Sequence, residues 1–382
     1  MIYFDHAATS PMSESSLKAY CQVAEKYFGN PSSLHDSGSE AERALESARK
    51  TIAKHLGVQA KGLHFTGSGS EANFLVIVSL ANAHTRRGRH IVTTPIEHSS
   101  VRNTFKWLEK DGFEVSYLPV NSEGQVTPEA LRQTLRDDTI LASIQHVNSE
   151  IGTVQDLRSL GEILRDREVL FHSDMVQSFG KIPSDLPGWG IDSATITAHK
   201  IQGPKGIGVA YIDNSINRKP LIPEATQERG FRPGTVDVPA AVAFAVAADE
   251  IMKKRDGQLE RVTALRDQLV GLVRTKLDSL AEVEGNPELN SPFITGISLK
   301  EMEGQHAMLE CNRFGLAIST GSACQVNEQN PSKTMLAIGK TDEQAQRLIR
   351  ISLSDLNQTN EIDEAVDILH KVAVKHRDVV TL

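Results

Sequence analysis

Lys200 and Asp174 are the residues whose types and spacing bear most directly on chemistry. Lys200 closes Thr197-Ala198-His199-Lys200 and precedes Gly203-Pro204-Lys205-Gly206. Asp174 ends an apolar run, Val169-Leu170-Phe171, through His172-Ser173, with Gln177 shortly after it. Both residues therefore stand at the polar tails of short apolar stretches. A lysine amine can condense with an aldehyde, and a carboxylate can keep a pyridine nitrogen protonated so that the ring draws electrons. Those are the two demands that pyridoxal phosphate (PLP) makes of a protein. A lone lysine is ordinarily a solvated surface group, but the histidine and glycines around Lys200 mark a tight, specialised turn.

A second feature is Thr66-Gly67-Ser68-Gly69-Ser70-Glu71-Ala72, which follows an expected strand and opens an apolar helix reaching Leu80. Amides at a helix N-terminus, with small residues that permit close approach, make an anion site. The same residues fit Gly-x-Gly-x-x-Ala, the dinucleotide fingerprint, with Glu97 as the candidate ribose-binding acid. A ligand-free strand-to-helix turn reads the same way. Lys200 with Asp174 favours PLP over a nicotinamide cofactor.

The third feature is a polar, small-residue segment, Ile318 to Ser332, that holds Cys324. In such a loop a thiolate can form and reach a substrate, although an inert solvated thiol has the same surroundings. Cys311 lies among apolar neighbours and reads as core, and Cys21 reads as an ordinary helix residue. With three cysteines and no Cys-x-x-Cys pair, neither a disulfide framework nor a metal site is expected.

These residues need elements to position them. Between Gly62 and Ile212, apolar runs at 63–65, 90–93, 114–118, 140–144, 169–171, 194–197 and 208–212 read as strands. Helical patterns such as Pro128 to Leu135 and Leu157 to Arg165 alternate with them. That alternation predicts an α/β fold with a largely parallel sheet flanked by helices. Ligands of such sheets bind beyond the carboxyl ends of the strands. After Ala240 an Ala-rich stretch and the segment Gln258 to Leu280 read as consecutive helices. A smaller α+β unit follows, with strands expected at 294–299, 316–318 and 350–353. The expected division is a large domain over 13–250 and a small domain of 1–12 with 251–382.

Composition excludes several classes. The net charge of −8 argues against non-specific nucleic-acid binding, which needs a basic surface. The short patch Arg86-Arg87-Gly88-Arg89 reads as a solvated helix end and loop. No run approaches the ~18 apolar residues of a membrane helix. Met1 to His6 lacks the basic-then-apolar pattern of a signal peptide, and with reduced cysteines the expectation is a cytoplasmic protein.

Taken together, the motifs resemble the NifS/IscS-type cysteine desulfurases of group I, in the class V branch of the fold-type I PLP enzymes. The resemblance runs from Phe4-Asp5-His6-Ala7-Ala8-Thr9 and Gly29-Asn30-Pro31-Ser32-Ser33-Leu34-His35 through Pro95-Ile96-Glu97-His98, His146 to Gly152, Asp174, Gln177 and Ala198-His199-Lys200. It ends with Phe231-Arg232-Pro233-Gly234-Thr235, the Ser322-Ala323-Cys324 loop and Arg350-Ile351-Ser352-Leu353. In two places the chain departs from the family pattern. Ser149 stands where Asn-Asn-Glu has its second Asn, and 223–230 replaces a glycine-rich stretch.

The resemblance implies a PLP-dependent transferase fold of type I, a homodimer, and conversion of L-cysteine to L-alanine with the sulfur left on Cys324 as a persulfide. An acceptor in iron–sulfur cluster assembly or tRNA thiolation would then take that sulfur. By the same resemblance Lys200 is the Schiff-base lysine, Asp174 pairs with the pyridine nitrogen, Gln177 reaches the phenolic oxygen, and His98 stacks on the ring and assists proton transfer. Ser70, Glu71, Thr197 and His199 serve the cofactor, with Thr235 reaching its phosphate from the partner subunit and Ser149 in the position of a cofactor-contacting Asn. Arg350 and Asn30 are implied in substrate binding. A selenocysteine lyase or other class V PLP lyase, a nicotinamide-dependent dehydrogenase and a non-enzymatic sulfur carrier are the alternatives.

Overall fold

The computed structural model describes residues 1–321 and 331–380. The chain opens with a two-residue strand, β1 (Ile2–Tyr3), and two helices, α1 (Glu14–Lys26) and α2 (Asp36–Leu56). Strands and helices then alternate as β2 (Leu63–Thr66), α3 (Gly69–Ala83), β3 (His90–Thr93), α4 (Ser99–Lys110), β4 (Glu114–Tyr117), α5 (Pro128–Thr134), β5 (Thr139–Ser143), α6 (Leu157–Asp166), β6 (Leu170–Asp174), β7 (Ser193–Thr197) and β8 (Gly208–Ile212). Helix α7 (Val238–Lys276) leads to β9 (Ala281–Val283), β10 (Ile294–Leu299), α8 (Gly304–Arg313), β11 (Leu316–Ala317) and β12 (Ser319–Thr320). The chain closes with α9 (Lys333–Ala337), α10 (Asp342–Gln346), β13 (Leu348–Ser352) and α11 (Thr359–Val380).

Seven strands form the main sheet in the order β2-β8-β7-β6-β5-β3-β4. Every pair is parallel except the two that β8 makes, with β2 and β7. The expected mixed, mostly parallel sheet is therefore what forms. Its central strands β5, β6 and β7 are buried at every position, which is why they read as near-continuous apolar runs.

The Ala-rich stretch and the segment after Gln258 form one helix of 39 residues, not consecutive ones. No proline interrupts it after its first turn, and Asp237 caps its start by accepting from the Ala240 amide at 2.9 Å. Gly257 costs about 1 kcal/mol in a helix interior, too little to break an element packed at both ends. The first half buries Ala241, Phe244 and Ala248 in the core of the main sheet. The second half buries Val262, Leu265 and Leu269 in a separate core with β10 and β13. Residue 250 lies within this helix.

A smaller antiparallel sheet has the order β12-β13-β10-β9. The expected run 316–318 forms β11 at 316–317, which pairs with β1, and β12, just after it, pairs instead with β13. The N-terminus is tied to this unit, because the Ser352 amide donates to the Phe4 carbonyl at 2.8 Å.

Candidate active site

Parallel strands end together. Asp174 is the last residue of β6, and its Cα pairs with Thr195 of β7. Lys200 follows β7 in a single 3₁₀ turn, Ala198–Lys200. The turn brings Lys200 back over the strand ends, so two residues distant in sequence reach one cavity of about 250 Å³. His98, Gln177, Ser149, Ser70, Thr197 and His199 line the same cavity. Most of the expected site residues are therefore brought together.

Lys200 Nζ donates to the carbonyls of Ala7 and Ala8, the latter at 2.7 Å. Gln177 Nε2 donates to the same Ala7 carbonyl at 3.0 Å, and its Oε1 faces Lys181 Nζ at 3.4 Å. Lys181 carries no signal in the sequence beyond its place beside Gly180. Burial pushes its ammonium down to about 7, and the charges of Lys200 and Arg350 add to that.

Asp174 is held by two donors. The Val176 amide reaches Oδ1 at 3.0 Å, and Asn73 Nδ2 reaches Oδ2 at 2.8 Å. Sequence reasoning missed Asn73 entirely. Its one signal is a polar residue on a helix whose neighbours at 72 and 76–78 are all buried and apolar. Asn73 also donates to Ser100 Oγ at 3.0 Å, and Ser100 Oγ lies 2.8 Å from His98 Nδ1. His98 is held below its ordinary value by burial first; Asp174 opposes that, while Lys200, Arg102 and Arg350 reinforce it.

The other end of the cavity is the start of α3. Ser68 caps that helix, accepting from the Glu71 amide at 3.0 Å. A Cβ on Gly208 would lie 2.5 Å from the Ser68 carbonyl carbon, so β8 and the loop can touch only because position 208 has no side chain. Thr197 lies at this end, its Cβ 3.5 Å from where a Cβ on Gly69 would stand, and His199 also lines the cavity. Burial, then the nearby lysines, lowers His199 to about 4, which leaves it a neutral hydrogen-bonding group at neutral pH. Glu71 does not line the cavity; it pairs with Arg232 at 3.2 Å beside Gly67.

Other expected residues lie elsewhere. Asn30 is exposed in the turn before α2, its side chain accepting from the Ser32 amide at 3.0 Å. Thr235 is exposed and outside the cavity. Arg350 is 5% exposed and already engaged, donating to Asp5 and to the Ser149 carbonyl at 2.9 Å each. Cys324 lies outside the described residues. Gly321 and Ser332, on either side of 322–330, both abut buried Glu150: Ser332 Oγ donates to its carboxylate, and a Cβ on Gly321 would lie 2.7 Å from it. Cys311 is buried, and burial pushes its thiol up to about 12, as befits core.

The donor set fits PLP. One cavity presents an amine for the aldehyde, an anchored carboxylate for the ring nitrogen, and a glycine-lined helix N-terminus with hydroxyls for a phosphate. Among the described residues no cluster suits a metal ion, and no helix is long and apolar enough to cross a membrane.

Known proteins resemble this chain over nearly its whole length. The aminotransferase class-V family model matches residues 2–365. The chain is 45% identical to a putative cysteine desulfurase NifS of Halalkalibacterium halodurans, over 97% of this chain and 98% of that protein. It is 36% identical to cysteine desulfurase IscS of Dictyoglomus turgidum, over 99% and 96% of the two chains. Among solved structures, a NifS-like protein superposes with a TM-score of 0.90 at 33% identity, covering 97% of this chain and 98% of the other. SspA in complex with cysteine superposes at 0.80 and 31% identity, covering 92% and 99%.

Proposed function

This chain belongs to the class V aminotransferase family, in its NifS/IscS cysteine desulfurase branch, and we propose that its cavity uses PLP to move sulfur from L-cysteine to Cys324. The reaction balances as L-cysteine plus the Cys324 thiol giving L-alanine plus a Cys324 persulfide. The carbon–sulfur bond of the substrate breaks, and a sulfur–sulfur bond forms on the enzyme. No external oxidant is needed for that step. A thiol reductant or an acceptor then removes the terminal sulfur.

When bound, PLP supplies an aldehyde that captures an amine and a ring that accepts electrons from the substrate Cα. The chain's own residues do the rest. Lys200 Nζ, steadied between two carbonyls, holds the cofactor and later takes the Cα proton. Asp174, fixed by Asn73 and the Val176 amide, keeps a proton at the ring nitrogen. Gln177, turned so that its amide nitrogen faces Ala7, serves the phenolic oxygen. Ser70, Thr197, His199 and the α3 amides hold the phosphate, and His98 covers the ring face. Arg350 clamps the substrate carboxylate with its planar fork, and Asn30 serves in substrate binding. In this reading 13–250 hold the cofactor, while 1–12 and 251–382 carry the cysteine loop. A homodimer completes the site through Thr235 and Ser149 keeps a polar contact to the cofactor. The sulfur passes in the cytoplasm to an acceptor for iron–sulfur assembly or tRNA thiolation.

The convergence of Lys200, Asp174, Gln177 and His98 on one cavity beside the α3 N-terminus carries this reading. The test is alanine released from L-cysteine by PLP-loaded protein with a thiol reductant, beside Cys324→Ser. Alanine from the wild type alone supports transfer through Cys324. Equal turnover by the variant removes Cys324 as the nucleophile, and no alanine from either removes the desulfurase reading.

A further inference from the structure

We propose that Asn73 and Ser100 form a directional hydrogen-bond relay between Asp174 and His98 that holds the neutral His98 proton on Nε2. Both are positioning residues, and the inference rests on the cavity being the reaction site. Direction follows from what each atom can do. An ionised carboxylate only accepts, so the Asn73 group 2.8 Å from Asp174 Oδ2 is its amide nitrogen. That orients the amide, and Asn73 Oδ1 then faces His172 Nε2 at 3.2 Å. Asn73 is 1% exposed, so solvent does not compete for these bonds.

The second Asn73 amide proton goes to Ser100 Oγ at 3.0 Å. A hydroxyl has one proton, and with Asn73 donating to its oxygen, the Ser100 proton is free for His98 Nδ1 at 2.8 Å. The Ser100 backbone amide also donates to Nδ1, at 3.2 Å. A proton on Nδ1 would forfeit the backbone-amide bond and turn the Ser100 hydroxyl from donor to acceptor, whereas an unprotonated Nδ1 keeps both donors. The imidazole proton therefore resides on Nε2, and His98 exchanges protons with the cavity through Nε2 alone. One asparagine thus sets both the Asp174 carboxylate and the His98 tautomer, so the two groups meet the cofactor in matched states.

Other charges also act on His98. Asp174 at the end of β6 favours its protonation, while Lys200 after β7, Arg102 on α4 and Arg350 on β13 oppose it. Ser100→Ala leaves both kinds in place, so a shift in that variant reports the relay.

The test is imidazole nitrogen-15 NMR of full-length protein labelled at histidine, with and without added PLP, with His98 assigned from the His98→Gln spectrum. The expected wild-type signature near pH 8 is an unprotonated Nδ1 and a protonated Nε2. Ser100→Ala removes one donor to the unprotonated Nδ1, so the His98 titration should rise by roughly one pH unit, and Ser100→Thr should restore it. Asn73→Leu should move it the same way. In cysteine turnover, Ser100→Ala should lower kcat several-fold with KM little changed, and Ser100→Thr should recover it. A protonated Nδ1 in the wild type overturns the relay, as does an unchanged titration in both Ser100→Ala and Asn73→Leu. If Ser100→Ala does not fold, the wild-type spectrum and Ser100→Thr still decide it. Absence of alanine release with an intact Nε2 signature would instead sink the desulfurase reading and leave the relay standing.

Discussion

Arg49 and Glu228 face each other through two parallel hydrogen bonds, Nη1 to Oε2 at 2.7 Å and Nη2 to Oε1 at 2.9 Å, with both side chains buried. Glu228 Oε2 also accepts from the Phe65 amide at 2.7 Å, which ties this pair to β2. Glu228 and Arg229 adopt left-handed φ values of 48° and 57°, a conformation that costs non-glycine residues about 1–3 kcal/mol each. The buried pair holds that turn, which lies in the segment where the chain departs from its family's glycine-rich pattern. From there the chain passes to Arg232, beside the anion loop.

Removing one partner leaves a buried charge uncompensated. Glu228→Gln should destabilise the protein by about 3–5 kcal/mol, read from the midpoint of urea unfolding. A loss below about 1 kcal/mol would mean that the turn is held by other contacts.

Gly208→Ala should spare the fold and weaken the phosphate site. The new methyl would press on Ser68 and Gly69 at the start of α3. Overpacking of this kind costs about 1–3 kcal/mol, so PLP should bind roughly tenfold or more weakly in equilibrium dialysis. Unchanged affinity would place the cofactor phosphate away from this loop.

Glu97 gives stability a pH dependence of known sign. Burial pushes its carboxyl up to about 8 from 4.5, and nearby Asp174 adds to this. Between those values the unfolded chain releases a proton that the folded protein keeps. This contribution is therefore complete below about pH 4.5 and declines toward pH 8, at up to about 1.4 kcal/mol per pH unit. Glu97→Gln should abolish the decline while matching the wild type near pH 5, as measured by unfolding midpoints at both ends. A parallel decline in the variant would assign the slope to another group.

Lys200→Ala should stop alanine production, a loss of at least 100-fold. Borohydride treatment followed by mass spectrometry should place a phosphopyridoxyl group on the Lys200 peptide of the wild type and leave the variant unlabelled. Labelling of Lys181 instead would reverse the assignment.

The seven strands of the main sheet were legible because each is a short apolar run punctuated by turn residues. The helices were less so. Val238–Lys276 reads as more than one element because its apolar character changes near Gly257, yet packing against two cores holds it as one rod. The split of 316–320 into strands of two sheets was likewise hidden, since pairing partners come from distant segments.

By itself the sequence determined which chemistry is available. Lys200, Asp174, Gln177 and His98 sit in local motifs at strand ends and helix starts, and a parallel sheet gathers such ends on one side. Tertiary structure decided how those groups are aimed and in what state they are held. Asn73 and Asp174 are 101 residues apart, and Arg350 and Asp5 are 345 apart. Such contacts leave no local pattern of spacing or periodicity. They exist because burial removes water and makes each polar atom find a partner wherever the packed chain supplies one.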